Sequence, residues 1–121
     1  MTGKSYSKRD AEHLQIMIKY CNDIEDFVNI YGSDEEDFSD KLPLQYSCVF
    51  ALIQIGEYSK RLSSELKDEH PEIDWKNVAG MRDFIVHNYM SVNISRIRST
   101  VLDKIPSLGE KCRSILSSHS T

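Results

Sequence analysis

The chain has 121 residues and a mass of 14.0 kDa, with 40% apolar and 28% charged side chains, the make-up of an ordinary soluble globule with one core. A net charge of −4 and a pI of about 5.5 exclude a general nucleic-acid binder, so any RNA contact has to be local. No window nears the roughly 18 uninterrupted apolar residues of a membrane helix, and the polar start Met1 to Arg9 lacks the apolar stretch of a secretion signal, so a cytoplasmic protein without a membrane partner is expected.

One domain over 1–121 is expected, with flexible tails at 1–6 and 117–121. A domain this small buries only about two thirds of its unfolded surface, which makes association with a second copy or a partner useful. Cys21, Cys48 and Cys112 are odd in number, far apart and each at an apolar helical position. They read as reduced core residues and indicate neither a disulfide framework nor a zinc site. Charge is uneven: residues 1–74 carry 8 basic and 16 acidic side chains, and residues 75–121 carry 7 basic and 3 acidic.

Leu14, Met17, Ile18, Cys21, Ile24, Phe27, Val28 and Tyr31 recur every three or four residues, which predicts an amphipathic helix over about 7–31. Gly32-Ser33 stops it. The acidic run Asp34 to Asp37 reads as a solvated loop. Asp40 is a plausible N-cap for a second helix over about 41–69, with Pro43 in its first turn. That helix is apolar on two sides. Leu44, Cys48, Ala51, Leu52, Ile55, Leu62 and Leu66 form one face, and Tyr46, Val49, Phe50 and Ile53 form another. Such a helix sits centrally in a bundle or lends its second face to a dimer. Gly56 in its interior costs about 1 kcal/mol of helix propensity and points to a close helix crossing.

His70-Pro71 breaks the pattern, and Asp74 can cap a third helix over about 75–89. Ser91 or Asn93 can start a fourth, with the stripe Ile94, Ile97, Val101 and Ile105. Pro106 then forces a kink or a fresh start before a fifth segment carrying Leu108, Cys112, Ile115 and Leu116. No run alternates as strands do. The expected fold is all-α, an up-and-down bundle of four or five helices.

The segment Gly80 to Tyr89 puts an arginine, a histidine and a tyrosine on one short helix. Arginine brings a fork for phosphate oxygens, histidine a proton that moves near neutral pH, and tyrosine a hydroxyl open to modification. Taking Arg82 as origin, Val86 falls at about 40°, Asp83 at about 100°, His87 at about 140° and Tyr89 at about 340° around the helix. Arg82 and His87 are therefore not stacked neighbours. They can meet on one phosphate if the arginine bends over Val86, or if helices from two subunits face each other across a groove. Cleaving the RNA backbone without a metal requires a base for the 2′-hydroxyl, an acid for the leaving oxygen and positive charge on the phosphorane. His87 suits either of the first two roles and Arg82 the third. The same spacing also fits polar residues on the outer face of a helix whose Val78, Met81, Ile85 and Tyr89 face the core. On that reading Asp83 only pairs with Arg82, Glu57 is a surface charge and Trp75 a core anchor. His13, His70 and His119 have no neighbouring ligand pattern, so no metal and no cofactor is assigned.

The pattern R-x(4)-H-x-Y at Arg82, His87 and Tyr89 resembles the signature of HepT-type toxins in the HEPN superfamily. Ile53-Gln54-Ile55-Gly56-Glu57 is similar to the family's I-G-E-A helix, and Pro71, Asp74-Trp75 and Gly80-Met81-Arg82-Asp83 follow in the order and spacing of such proteins. The similarity spans about Leu44 to Leu108. It implies a homodimeric HEPN-type bundle whose paired third helices form a cleft with metal-independent RNase activity, with Arg82 and His87 catalytic and Asp83 the supporting polar residue after the arginine. It further implies a minimal nucleotidyltransferase antitoxin that transfers AMP from ATP to Tyr89. Tyr58 departs from the pattern, since a small residue is more usual after Gly-Glu, and that bears on packing near Gly56. Two alternatives stand beside the RNA-cleaving toxin. One is a HEPN binding module that clasps a nucleotidyltransferase or a nucleotide without cutting RNA, and the other is a bare structural bundle.

Overall fold

The computed structural model describes residues 7–87 and 93–118, and among them no strand occurs. Helix α1 (Lys8–Tyr31) follows the predicted stripe, with Leu14, Met17, Cys21 and Ile24 buried. The Ser7 side chain caps it by accepting from the Asp10 N–H at 3.0 Å. Gly32 closes it at φ 113°, donating its N–H to the Val28 carbonyl at 2.8 Å. Only glycine suits that conformation, and a Cβ there would also collide with the Asp37 carboxylate.

The acidic run is not a loop. It opens a short helix, α2 (Glu35–Asp40), in which Asp34 and Asp37 cap each other's backbone N–H groups, at 2.9 and 3.3 Å. Acidic side chains favour the positive end of a helix, and Phe38, fully buried, anchors the turn to the core. Asp40 consequently ends α2 and does not cap the next helix. Helix α3 (Leu42–Lys60) starts from Lys41 without a side-chain cap, with Pro43 in its first turn as expected.

The predicted second helix is two helices. After α3 the chain turns at Arg61 to Ser63 and restarts as α4 (Ser64–Glu69), capped by Ser63. The cause lies far away in sequence. Asp10 of α1 is 2% exposed and accepts from the Ser63 N–H at 2.9 Å and its hydroxyl at 2.6 Å, which bends the chain toward α1.

Helix α5 (Trp75–His87) buries Val78 and Ile85. Asn93, one of the two predicted starts, caps α6 (Ile94–Ser99) by accepting from the Arg96 N–H at 3.3 Å. Pro106 stands in the first turn of a new α segment, in line with the predicted fresh start. A π turn over Thr100–Lys104, in which the Ile105 N–H reaches the Thr100 carbonyl, leads directly into α7 (Ile105–Ser118). Widening the helix there accommodates a residue that cannot donate. Ser117 and Ser118, expected in a fraying tail, belong to α7.

Helix α3 is central, packing on α1 and α5, while α7 covers the other side of α1. Leu44, Cys48, Ala51, Leu52 and Ile55 fill its buried face. Its second apolar face is only half open: Tyr46 and Phe50 are 58% and 54% exposed, beside Leu42 at 52%, whereas Val49 and Ile53 pack against the core. Cys21, Cys48 and Cys112 are buried and unpaired, and burial pushes each thiol up to about 12. No described helix is long and apolar enough to cross a membrane.

Candidate active site

The site is built where α3 and α5 cross. A Cβ on Gly56 would lie 2.6 Å from the Arg82 Cβ, 3.0 Å from the Arg82 nitrogen and 3.1 Å from the Val78 carbonyl oxygen. The missing side chain lets the two backbones touch and fixes where Arg82 leaves α5. Tyr58 does not disturb this crossing. Its ring meets His13 of α1 edge-on at 5.5 Å between centroids, with the Arg61 guanidinium at 4.5 Å from its centre.

The next polar residues of α3 reach across to α5. Glu57 Oε1 sits 2.9 Å from Arg82 Nε as an ion pair in a spot closed to solvent, without the alignment of a hydrogen bond. Lys60, one turn on, donates from Nζ to Asp83 Oδ1 at 2.6 Å, and Arg82 Nη1 donates to the same oxygen at 3.1 Å. The result is a chain of alternating charge, Glu57, Arg82, Asp83 and Lys60. The Lys60 ammonium, and the Arg82 guanidinium after it, hold the Asp83 carboxyl below its ordinary 3.8, against the opposing effect of desolvation. Arg82 is thus oriented at two points, and its remaining N–H groups keep a fixed direction.

His87 is exposed at the end of α5, and its Nδ1 lies 2.9 Å from the Asp83 carbonyl oxygen. A carbonyl can only accept, so this contact puts the proton on Nδ1 and leaves Nε2 as the acceptor at the exposed edge of the ring. Asp83 therefore links both candidate catalytic residues, Arg82 through its carboxylate and His87 through its backbone. No hydrogen bond joins Arg82 to His87 among the described residues. The arginine does not bend over Val86 toward the histidine but is drawn to Glu57. Tyr89, the candidate modification site, lies outside the described residues.

Two participants went beyond the sequence reading. Glu57 is no bare surface charge but the partner of Arg82, and Lys60 was not singled out. Their signal was present: both follow Gly56 by one and four positions, which places them on the edge of α3 that meets α5. Trp75 is half-buried against the core, its indole N–H donating to the His70 carbonyl at 2.9 Å. Among the described residues, no three His, Cys, Asp or Glu side chains converge as metal ligands would.

Comparison with known proteins gives the family. Residues 17–115 match the family model described as ribonuclease HepT-like. A Thermococcus cleftensis protein named as a ribonuclease HepT is 41% identical over 108 residues, 89% of this chain and 90% of its own. A Caldanaerobacter subterraneus protein named as an RNase is 34% identical over 109 residues, 90% of this chain and 96% of its own. One from Methanocaldococcus jannaschii, also named as an RNase, is 29% identical over 110 residues, 90% of this chain and 93% of its own. No solved structure matches the chain. With the all-α bundle and the Arg82/His87 pattern on one helix, the match over 17–115 means that this chain belongs to the HepT-like ribonuclease family of the HEPN superfamily.

Proposed function

We propose that this chain is a metal-independent endoribonuclease that acts as a homodimer and serves as the toxin of a toxin–antitoxin pair. The observation that carries the reading is the double bracing of Arg82 by Glu57 and Asp83, beside a histidine whose Nε2 is left as an outward acceptor. Preorganised positive charge stabilises a developing phosphorane more than mobile charge does, because no reorganisation is needed during reaction.

In the reaction, a histidine Nε2 takes the proton of an RNA 2′-hydroxyl, and that oxygen attacks the adjacent phosphorus. Arg82 carries the added charge, and the 5′-oxygen leaves with a proton from an acid, giving a 2′,3′-cyclic phosphate and a 5′-hydroxyl. His87 is the base and a water molecule the acid, and a second copy of the chain completes the set by bringing its own Arg82 to the phosphate that this His87 serves. The open half of the second α3 face, with Leu42, Tyr46 and Phe50, and the exposed Val86 beside Arg82 supply apolar surface for that second copy. The names of the relatives favour RNA as the substrate.

Neutralisation follows by the partner nucleotidyltransferase. The Tyr89 hydroxyl attacks the α-phosphorus of ATP, pyrophosphate leaves with the hydroxyl proton passing to solvent, and the AMP adds charge and bulk where Arg82 would hold RNA. Intact-mass measurement after mixing with that enzyme and ATP is expected to give one AMP per chain, and none in Tyr89→Phe.

A non-cutting module that binds the nucleotidyltransferase or a nucleotide is favoured by one observation: Arg82 already has two carboxylate partners. Cleavage of labelled RNA in EDTA separates the two. A cutting wild type with Arg82→Ala and His87→Ala each lower by about 10²–10³-fold supports the nuclease. A folded, unmodified wild type that leaves RNA intact supports the binding module.

A further inference from the structure

We infer that the cleft between α5 and the α6–α7 segment is a nucleotide subsite that seats one base and phosphate of the RNA strand beside the cleaved bond. This rests on the ribonuclease reading and extends it to substrate recognition. The cleft has a volume of about 520 Å³, within the size range of small-molecule sites. Its floor is apolar, with Met81 and Phe84 from α5 and Ile105 and Leu108 from α7.

Three cations stand at the rim: Arg96, Lys104 and Lys111. The Arg96 guanidinium lies over the Phe84 ring, 4.0 Å from its centre, and presents a flat cationic plate of the kind on which RNA bases stack. Lys104 makes no side-chain hydrogen bond or ion pair among the described residues. Lys111 holds the Glu72 carbonyl oxygen at 3.0 Å. Of the two rim carboxylates, Asp74 has both oxygens occupied by Asn77, at 3.1 and 2.7 Å, and Asp103 accepts from the Ser99 hydroxyl at 3.3 Å. In an otherwise acidic chain, a rim with cations in excess over an apolar floor complements a nucleotide, which is apolar and flat at the base and anionic at the phosphate.

Gly80 supplies a second, independent observation. It lines the cleft in the interior of α5, and a Cβ on it would meet nothing within 4 Å. Gly56 is required by a neighbour inside the chain, whereas nothing inside the described chain requires glycine at position 80. A helix-interior glycine with open space over it leaves bare backbone for an outside group to approach. Gly80 and His87 are seven residues apart and within about 20° on the helix, so the face that carries His87 runs directly into the cleft. A strand whose scissile phosphate lies at His87 continues along that face.

The test uses a short 2′-O-methyl RNA, which lacks the nucleophile and so measures binding apart from cleavage. Two variants probe the cleft: Gly80→Leu, which fills it while removing a glycine from a helix and so keeps the fold, and the double change Lys104→Ala/Lys111→Ala. Anisotropy titrations are expected to show Gly80→Leu binding about tenfold more weakly at an undiminished Tm. The double variant is expected to flatten the plot of log Kd against log salt by about 0.7, the one phosphate contact that the subsite makes on a single strand. If wild type cuts RNA and both variants bind the probe as wild type does, the cleft is overturned and the ribonuclease reading stands. If wild type neither binds nor cuts, both fall together. If RNA affinity is unchanged but Gly80→Leu alters the oligomeric state by light scattering, the face receives a second copy of the chain, which also overturns the subsite.

Discussion

The two flanks of α5 are opposites. On the flank toward α3, Gly56 lets the backbones touch, and Glu57, Arg82, Asp83 and Lys60 form a continuous set of ion pairs. On the other, among the described residues, His87 is exposed and held by its own helix alone, and a Cβ on Gly80 would meet nothing within 4 Å. The difference teaches how labour is divided in the site. A single chain can preset the positive charge for a phosphorane, because bracing needs only its own neighbouring helix. On the proposed reading, proton transfer and substrate seating belong to the open flank, where RNA or a second protomer would come next.

Five substitutions, in four comparisons, break or sharpen that contrast, taken from the largest expected effect to the smallest. Arg82→Lys keeps the charge but loses the fork that holds Glu57 and Asp83 together, so kcat for RNA cleavage falls by about 10²-fold with little change in KM, as steady-state kinetics would show. The two glycines respond with opposite sign. Gly56→Ala forces a Cβ onto Arg82 and lowers stability by about 1–3 kcal/mol, whereas Gly80→Ala raises it by up to about 1 kcal/mol, both read from urea midpoints. Glu57→Gln removes one brace from Arg82 and lowers kcat by about tenfold while the fold persists, as circular dichroism checks. The smallest effect is the pH dependence of the Asp83 ion pairs. Its folded pKa lies below the ordinary 3.8, so its contribution is present above about pH 4 and is lost as pH falls through the depressed value. The stability difference between wild type and Asp83→Asn should therefore shrink on acidification below pH 4.

The same contrast explains what the sequence could tell. Helix α1 was legible because eight apolar residues keep one period, and the second face of α3 because Tyr46, Val49, Phe50 and Ile53 keep another. Gly56 announced the crossing, since a glycine costs helix propensity wherever packing does not require it. Helix α2 was missed because its six residues offer one apolar anchor, Phe38, which leaves no period to detect. The break between α3 and α4 was invisible for a different reason. Leu62 and Leu66 continue the apolar stripe across it, and the group that turns the chain, Asp10, lies 53 positions away. Arg82 and His87 were legible as a pattern, but not the direction in which each points. For Arg82 that direction comes from Glu57 and from an Asp83 held by Lys60, roles that emerge only once two helices are placed side by side, and for His87 it comes from the Asp83 carbonyl of its own helix.

In one chain the guanidinium turns toward Glu57 while the imidazole turns back on its own helix, so a phosphate held by both is expected to take Arg82 from one protomer and His87 from the other. The most direct test mixes Arg82→Ala and His87→Ala chains, unfolded and refolded together, and measures RNA cleavage. Random pairing restores one intact composite site in half of the dimers, so about a quarter of wild-type activity should return although each parent is inactive. A mixture as inactive as its parents, with mixed dimers demonstrated by mass, would contradict a site shared between protomers.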